Sequence, residues 1–138
     1  MASIHTEITL DAPAELVWDA VRDVGNVHRR LVPGVLTGTT MEDGARIVTF
    51  ANGLVVRELI VDVDETARRL VWAAVGGRLA HHNASLQVFP TGAHRCRLVW
   101  IADLLPDAMA GDIRTLIGMG AAAIRRTFAA PVHREARS

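Results

Sequence analysis

Two side chains in this sequence, Glu58 and His82, have the chemistry of an acid–base pair. A carboxylate set among apolar neighbours such as Val56 and Ile60 is pushed toward its neutral form unless a cation or donor compensates. In that state it can act as a general acid or base. An imidazole titrates near neutrality and passes protons either way. Facing each other, the two would suit dehydration, aldol cyclisation or proton transfer alpha to a carbonyl. Strand parity decides whether they can meet, because alternate residues of a strand point to opposite faces. His82 alternates with Ala84, Leu86 and Val88 against the more polar His81, Asn83, Ser85 and Gln87, so it is expected to point inward. Around Glu58 the two sets are closely matched. Leu54, Val56, Glu58, Ile60 and Asp62 oppose Val55, Arg57, Leu59, Val61 and Val63, and parity leaves the inward set open. If Arg57 turns inward instead, Glu58 is a surface carboxylate or half of a pair between strands. His82 also has a plain reading, a core histidine bonded to one polar neighbour.

Other chemistries are limited by composition. His81 and His82 are adjacent on a strand and so diverge, and no third ligand is apparent, so no metal site is expected. The chain holds one cysteine, Cys96, which excludes an internal disulfide and reads as a small buried residue. Its 15 basic residues are all arginine, so a lysine Schiff base is impossible. This usage, with abundant Ala, Val and Gly, fits a GC-rich genome. No phosphate loop, nucleophile elbow or dinucleotide fingerprint is present, and no cofactor is expected. Formal net charge is zero, which gives no sign of a nucleic-acid surface. At 138 residues the chain suits one domain with a full core. Its ordered part is expected at about 3–130, with a polar tail over 131–138. The N-terminus lacks a charged start followed by an apolar stretch, so a cytoplasmic location is expected.

The elements that must position these residues follow from periodicity. Ser3 to Leu10 alternates and reads as a strand. Asp11 is expected to cap a helix with Pro13 in its first turn, and a second short helix follows over Asn26 to Leu31. Six more strands follow, joined by turns at Glu42-Asp43-Gly44, Ala51-Asn52-Gly53, Asp64 to Ala67, Gly76-Gly77 and Pro90-Thr91-Gly92. Tight turns imply an antiparallel sheet. Pro106 to Phe128 reads as one long helix, with Met109, Ile113, Leu116, Ile117, Gly120, Ile124 and Phe128 in one stripe and Pro131 as a stop. Its charges, Asp112, Arg114, Arg125 and Arg126, argue against a membrane span. The helix also carries Gly111, Gly118 and Gly120. Gly120 lies on the stripe, where it either packs closely against a neighbour or leaves room for a ligand. Asp103 ends the last strand, where it is expected to cap this helix in preference to the alternative of meeting ligand.

This order of elements resembles the helix-grip fold of the SRPBCC superfamily, also called START-like. Val17-Trp18, the run ELIVDVD from Glu58 to Asp64 followed by Arg68-Arg69-Leu70, and RLVWIADLLP from Arg97 to Pro106 are each similar to that superfamily's patterns. Within it the nearest look is the bacterial polyketide cyclase/dehydrase and lipid-transport group. The resemblance implies an α+β fold, a seven-stranded antiparallel sheet wrapped around a long C-terminal helix. Plant abscisic acid receptors share this fold. Glu58 falls where they carry a pocket glutamate and His82 where they carry a pocket tyrosine. FANGL, Phe50 to Leu54, and Gly77-Arg78-Leu79 sit where their cavity mouth lies.

The expected ligand-binding residues are therefore Phe50, Val56, Ile60, Ala84, Leu86, Trp100, Met109, Ile113, Leu116, Ile117 and Gly120, with Asn52, Gly53, Arg78, Leu79 and His28 at the mouth. Three functions compete. The first is a binder or carrier of a small hydrophobic molecule that is polyketide-, aromatic- or lipid-like. The second is a cofactor-independent cyclase or dehydratase using Glu58 and His82. The third is a regulatory or interaction module with a filled core. A homodimer through the exposed sheet face or edge, which includes Val99 and Ile101, is a further expectation.

Overall fold

The structure, a computed structural model, describes residues 1–129. The tail expected from Pro131 onward lies outside the described residues. The chain runs through β1 (Ala2–Leu10), α1 (Ala14–Arg22), a 3-10 turn (Val24–Asn26), α2 (Val27–Arg30), β2 (Leu36–Glu42), β3 (Ala45–Phe50), β4 (Val55–Asp64), β5 (Arg69–Val75), β6 (His81–Gly92), β7 (Arg95–Leu105), a second 3-10 turn (Asp107–Met109) and α3 (Ala110–Thr127). The seven strands form one sheet in the order β1-β7-β6-β5-β4-β3-β2, antiparallel throughout. This is the helix-grip arrangement that the sequence implied.

Register sorts the side chains. Ile4, Ala102, Ala84, Trp72 and Ile60 form one row across β1, β7, β6, β5 and β4. On β4, Val56 stands opposite Val48 and Glu58 opposite Arg46. Val48 is fully buried, so the Val56, Glu58, Ile60 set faces the helices. The pairing then slips between Ile60 and Asp62. The slip leaves Val61 exposed and brings Val63 opposite buried Leu70, facing inward. This bulge is why both parities of β4 are apolar in the sequence.

The core fills the inner face. Ile8, Leu70, Leu86, Leu98, Leu104, Val17, Val21, Val48, Val88 and Ile124 are fully buried. Each contributes about 1.5–3 kcal/mol, more than an exposed ion pair. α3 lies against β1, α1 against β6 and β7, and α2 against β2. The far end of α3 is tied to the end of α2, where the Thr127 hydroxyl donates to the Leu31 carbonyl at 3.3 Å.

Four local expectations are corrected. Asp11 does not cap α1. The N-cap is Pro13, in extended backbone with no side-chain cap, and Asp11 reaches Arg95 at 2.9 Å instead. The long helix begins later than Pro106, which is itself extended, and the α-helix proper opens at Ala110. Pro90 to Gly92 is not the reversal, because the ladder continues to Gly92 opposite Arg95 and the chain turns at Ala93-His94. Asp103 caps nothing, since it sits within β7 between Ser3 and Asn83.

Candidate functional site

The inner face is unevenly covered. On β6, β7 and β1 it is sealed: Ala84, Leu86, Leu98, Ala102, Ile4 and Ile8 are all buried. On β3 and β4, Phe50, Val56 and Ile60 remain only half-buried. Met109, Ile113 and Leu116, in and just before the first half of α3, are half-buried as well. Trp72 and Trp100 stand at the boundary, ring centres 6.2 Å apart and tilted. Half-buried apolar side chains thus gather on β3–β4 and at the start of α3, at the edge of the core. Ala84, Leu86 and Ile117 belong to the sealed part.

Gly120 also belongs to the sealed part. A Cβ there would lie 2.7 Å from Cη2 of Trp100. The space beside this glycine is filled by the indole. Gly111 and Gly118 have open space around them.

Glu58 faces inward, and its partner is Arg46 rather than His82. Arg46 lies directly across the β3–β4 hairpin, and its Nε donates to Glu58 Oε1 at 2.7 Å. The guanidinium also donates from Nη1 to the Val24 carbonyl at 3.3 Å and sits 5.6 Å from the Trp72 ring centre. Arg46 is 3% exposed. A buried charge held by a carboxylate, a carbonyl and a ring face is well compensated. Arg46 was not among the sequence candidates. The signal was the Asn52-Gly53 hairpin, whose register places Arg46 opposite Glu58.

His82 has a different role from a direct dyad. Trp72 opposite Ala84 is the last pair of the β5–β6 ladder. Beyond it His82 fills the place of the next backbone acceptor, its Nδ1 accepting from the Ala74 N–H at 3.0 Å. That bond fixes the neutral tautomer, with the proton on Nε2. Burial, and then neighbouring His81, hold its pKa below the ordinary value. Glu58 is opposite Ala74, so Ala74 separates it from His82 on the same face. Two strand spacings, about 10 Å, separate the two backbones. Among the described residues the two side chains share no hydrogen bond.

Two loops flank the half-buried lining. Asn52 and Gly53 are exposed at the β3–β4 turn, where Asn52 Oδ1 accepts from the Leu54 N–H at 3.0 Å. Gly53 has φ +89°, a left-handed conformation that glycine tolerates. In the β5–β6 loop, Leu79 packs on the core while Arg78 lies 3.8 Å from Asp112 in the first turn of α3. Both charges are exposed, so the contact is weak. His28 on α2 is half-buried, with its Nδ1 buried and unpartnered among the described residues. A depression of about 370 Å³ lies where β5 and β6 part, with Leu79, His81 and His82 in its lining. Cys96 is fully buried, and burial pushes its thiol pKa up, as for an inert core residue. The described residues contain no cluster of three metal-ligating side chains.

Residues 1–134 match the family described as polyketide cyclase / dehydrase and lipid transport. The chain belongs to this family. Solved structures agree on the fold. An uncharacterized protein from Bacillus thuringiensis superposes with a TM-score of 0.84 at 14% identity, covering 94% of this chain and all of its own. A protein from Thermobifida fusca is 29% identical with a TM-score of 0.72, over 88% of this chain and 85% of that one. A point mutant of norcoclaurine synthase from Thalictrum flavum gives a TM-score of 0.68 at 20% identity, over 99% and 96%. No curated protein matches the sequence. Membership of the polyketide cyclase / dehydrase and lipid-transport family supports a ligand-binding or cyclase role. No helix among the described residues is long and apolar enough to cross a membrane.

Proposed function

We propose that this chain binds a small hydrophobic molecule, polyketide-, aromatic- or lipid-like, between β3–β4 and the first half of α3. The observation that carries this reading is the half-buried apolar lining. Phe50, Val56, Ile60, Met109 and Ile113 all face the interior side without being sealed. Apolar walls with a few placed polar groups are the usual make-up of a small-molecule site. Here Glu58, Arg46 and His82 are those groups, and Trp100 offers a flat surface for stacking. Titration with 1-anilinonaphthalene-8-sulfonate, followed by competition with 2-naphthol, tests the site. Saturable one-to-one binding that Val56→Trp abolishes in a folded protein is the expected result. Dye binding that is absent, or unchanged by Val56→Trp, would remove the reading.

A second reading, a cyclase or dehydratase without a redox cofactor, is favoured by one observation. Glu58 and His82 stand on the same face, on strands β4 and β6. They are too far apart for a direct dyad but suitably placed to address two points of one bound substrate. His82 would offer its Nε2–H to a developing oxyanion, and Glu58 would move a proton. In that case Glu58→Gln and His82→Gln abolish turnover of a linear polyketide mimic while its affinity survives. Equal loss of affinity and turnover would make both residues simple binding groups.

A further inference from the structure

The face of the sheet turned away from the helices has a pattern of its own. Its residues run in rows across β5, β6, β7 and β1. Arg69, Gln87, Val99 and Glu7 make one row, and Val71, Ser85, Ile101 and His5 make the next. At one end Phe89 stands beside Arg97, and at the other Asn83 stands beside Asp103. Ser85, Val99 and Ile101 are part of the lining of a shallow depression of about 370 Å³ on this face.

We propose that this face pairs with the same face of a second copy of the chain, about a two-fold axis along the seam between β6 and β7. That axis lays β5 over the β1 of the other copy and β6 over its β7. Arg69 then meets Glu7 of the other copy, Phe89 meets Arg97, Asn83 meets Asp103 and Ser85 meets Ile101. Each contact occurs twice, as an isologous interface requires. Within these rows no like charges are opposed. Cation meets anion, amide meets carboxylate, and guanidinium meets ring. Arg97 already lies over Phe89 within the chain, 5.5 Å from the ring centre, so this pairing suits their geometry.

The position of the axis matters. At the β7–β1 seam, β6 would overhang the edge of the sheet, because β1 is the last strand. At the β5–β6 seam, Arg69 would face Gln87 and lose Glu7. Four strands about 4.8 Å apart, each contributing about 20 Å of length, give a patch of about 400 Å² per copy. A standard interface uses about 800 Å² per partner, so the pair should be weak and should exchange. The two helix-facing sites would lie back to back, both open.

Sedimentation equilibrium on the full chain, from about 1 to about 500 µM, tests the proposal. A monomer–dimer equilibrium is expected. Arg69→Glu and Glu7→Arg should each weaken it at least about tenfold, because each opposes like charges. The variant carrying both substitutions should recover association. Recovery within one chain is excluded, since β5 and β1 are three strand spacings apart, about 14 Å. Glu7→Arg also loses the 3.2 Å contact with Arg97 inside the chain, and that loss persists in the double variant. Far-UV circular dichroism confirms folding, and Ile101→Glu provides a second way to block the face. A wild-type chain that stays monomeric overturns the proposal and leaves the face to a different partner. A dimer indifferent to the single substitutions, or a double variant no better than the singles, overturns it equally.

Discussion

Arg46 and Glu58 face each other across the β3–β4 hairpin, Nε to Oε1 at 2.7 Å, with side chains only 4% and 13% exposed. The Glu58 carboxylate is therefore compensated, and it enters the candidate site as half of an ion pair. The hairpin register brings them together, and the Val24 carbonyl and Trp72 ring complete the surroundings of the cation.

Removing one member should cost more than removing both. Arg46→Met leaves Glu58 without its cation and is expected to destabilise by about 3–5 kcal/mol. Adding Glu58→Leu should return most of that loss, because two apolar side chains can replace a buried pair. Urea denaturation of the two variants checks this. If the double variant is as unstable as the single, the pair is not the source of the loss.

The three glycines of α3 should separate cleanly. Gly120→Ala places a Cβ 2.7 Å from Trp100, and such overpacking costs about 1–3 kcal/mol. Gly118→Ala and Gly111→Ala meet nothing within 4 Å and should each gain up to about 1 kcal/mol of helix propensity. Thermal melts of the three variants distinguish the cases. A Gly120→Ala protein as stable as the wild type would mean that the indole moves aside, and that the space beside Gly120 is available to a ligand.

Most of the fold is legible in the sequence because its signals are local. Alternation marks β1, the Asn52-Gly53 turn marks the β3–β4 hairpin, and stripe spacing marks α3. The site is less legible because it depends on pairings between strands. Arg46 is unremarkable until the hairpin register sets it against Glu58. The inward set of β4 becomes decidable only with the bulge at Val61, which flips parity partway along the strand. Parity aligns His82 with Ala84 and Leu86, but its bond to Ala74 depends on β5 and β6 parting after Trp72, and no local pattern encodes that. Asp11 failed as a cap because Ala12 and Pro13 intervene before Ala14 and because Arg95 competes for its carboxylate.

The helix-facing lining predicts which substitutions stop ligand uptake. Ile113→Trp adds bulk at a half-buried position at the start of α3, so on the proposed reading it should fill the ligand space without creating a core clash. Dye affinity should fall by at least about tenfold, a loss of about 1.4 kcal/mol, while the urea midpoint stays near that of the wild type. A matched substitution on the sealed side, Leu86→Ala, should do the reverse. It should cost about 2–5 kcal/mol of stability and leave residual affinity in the folded fraction. If Ile113→Trp leaves dye affinity unchanged, the ligand space does not lie along α3.

His82 gives the stability of the protein a pH dependence of known sign. In the folded chain its Nδ1 accepts the Ala74 N–H, which only the neutral ring can do. Burial, with a smaller effect of His81, holds the folded pKa below 6.5, the value for an unperturbed ring. Between the lowered folded pKa and 6.5 the unfolded state binds more protons, so stability rises with pH through that window. The contribution is fully present above the unfolded pKa and is lost as pH falls through the folded one. Protonation replaces the acceptor by a second donor facing Ala74, and the β5–β6 seam beyond Trp72 should loosen first. His82→Gln removes the titrating group, so the wild-type minus variant difference in unfolding free energy should shrink on acidification from neutral pH. Amide exchange of Ala74, measured by NMR at several pH values, gives the local counterpart. Protection of that amide in the wild type should fall in step with the protonation of His82. Protection that stays constant while His82 titrates would show that the imidazole does not hold the seam.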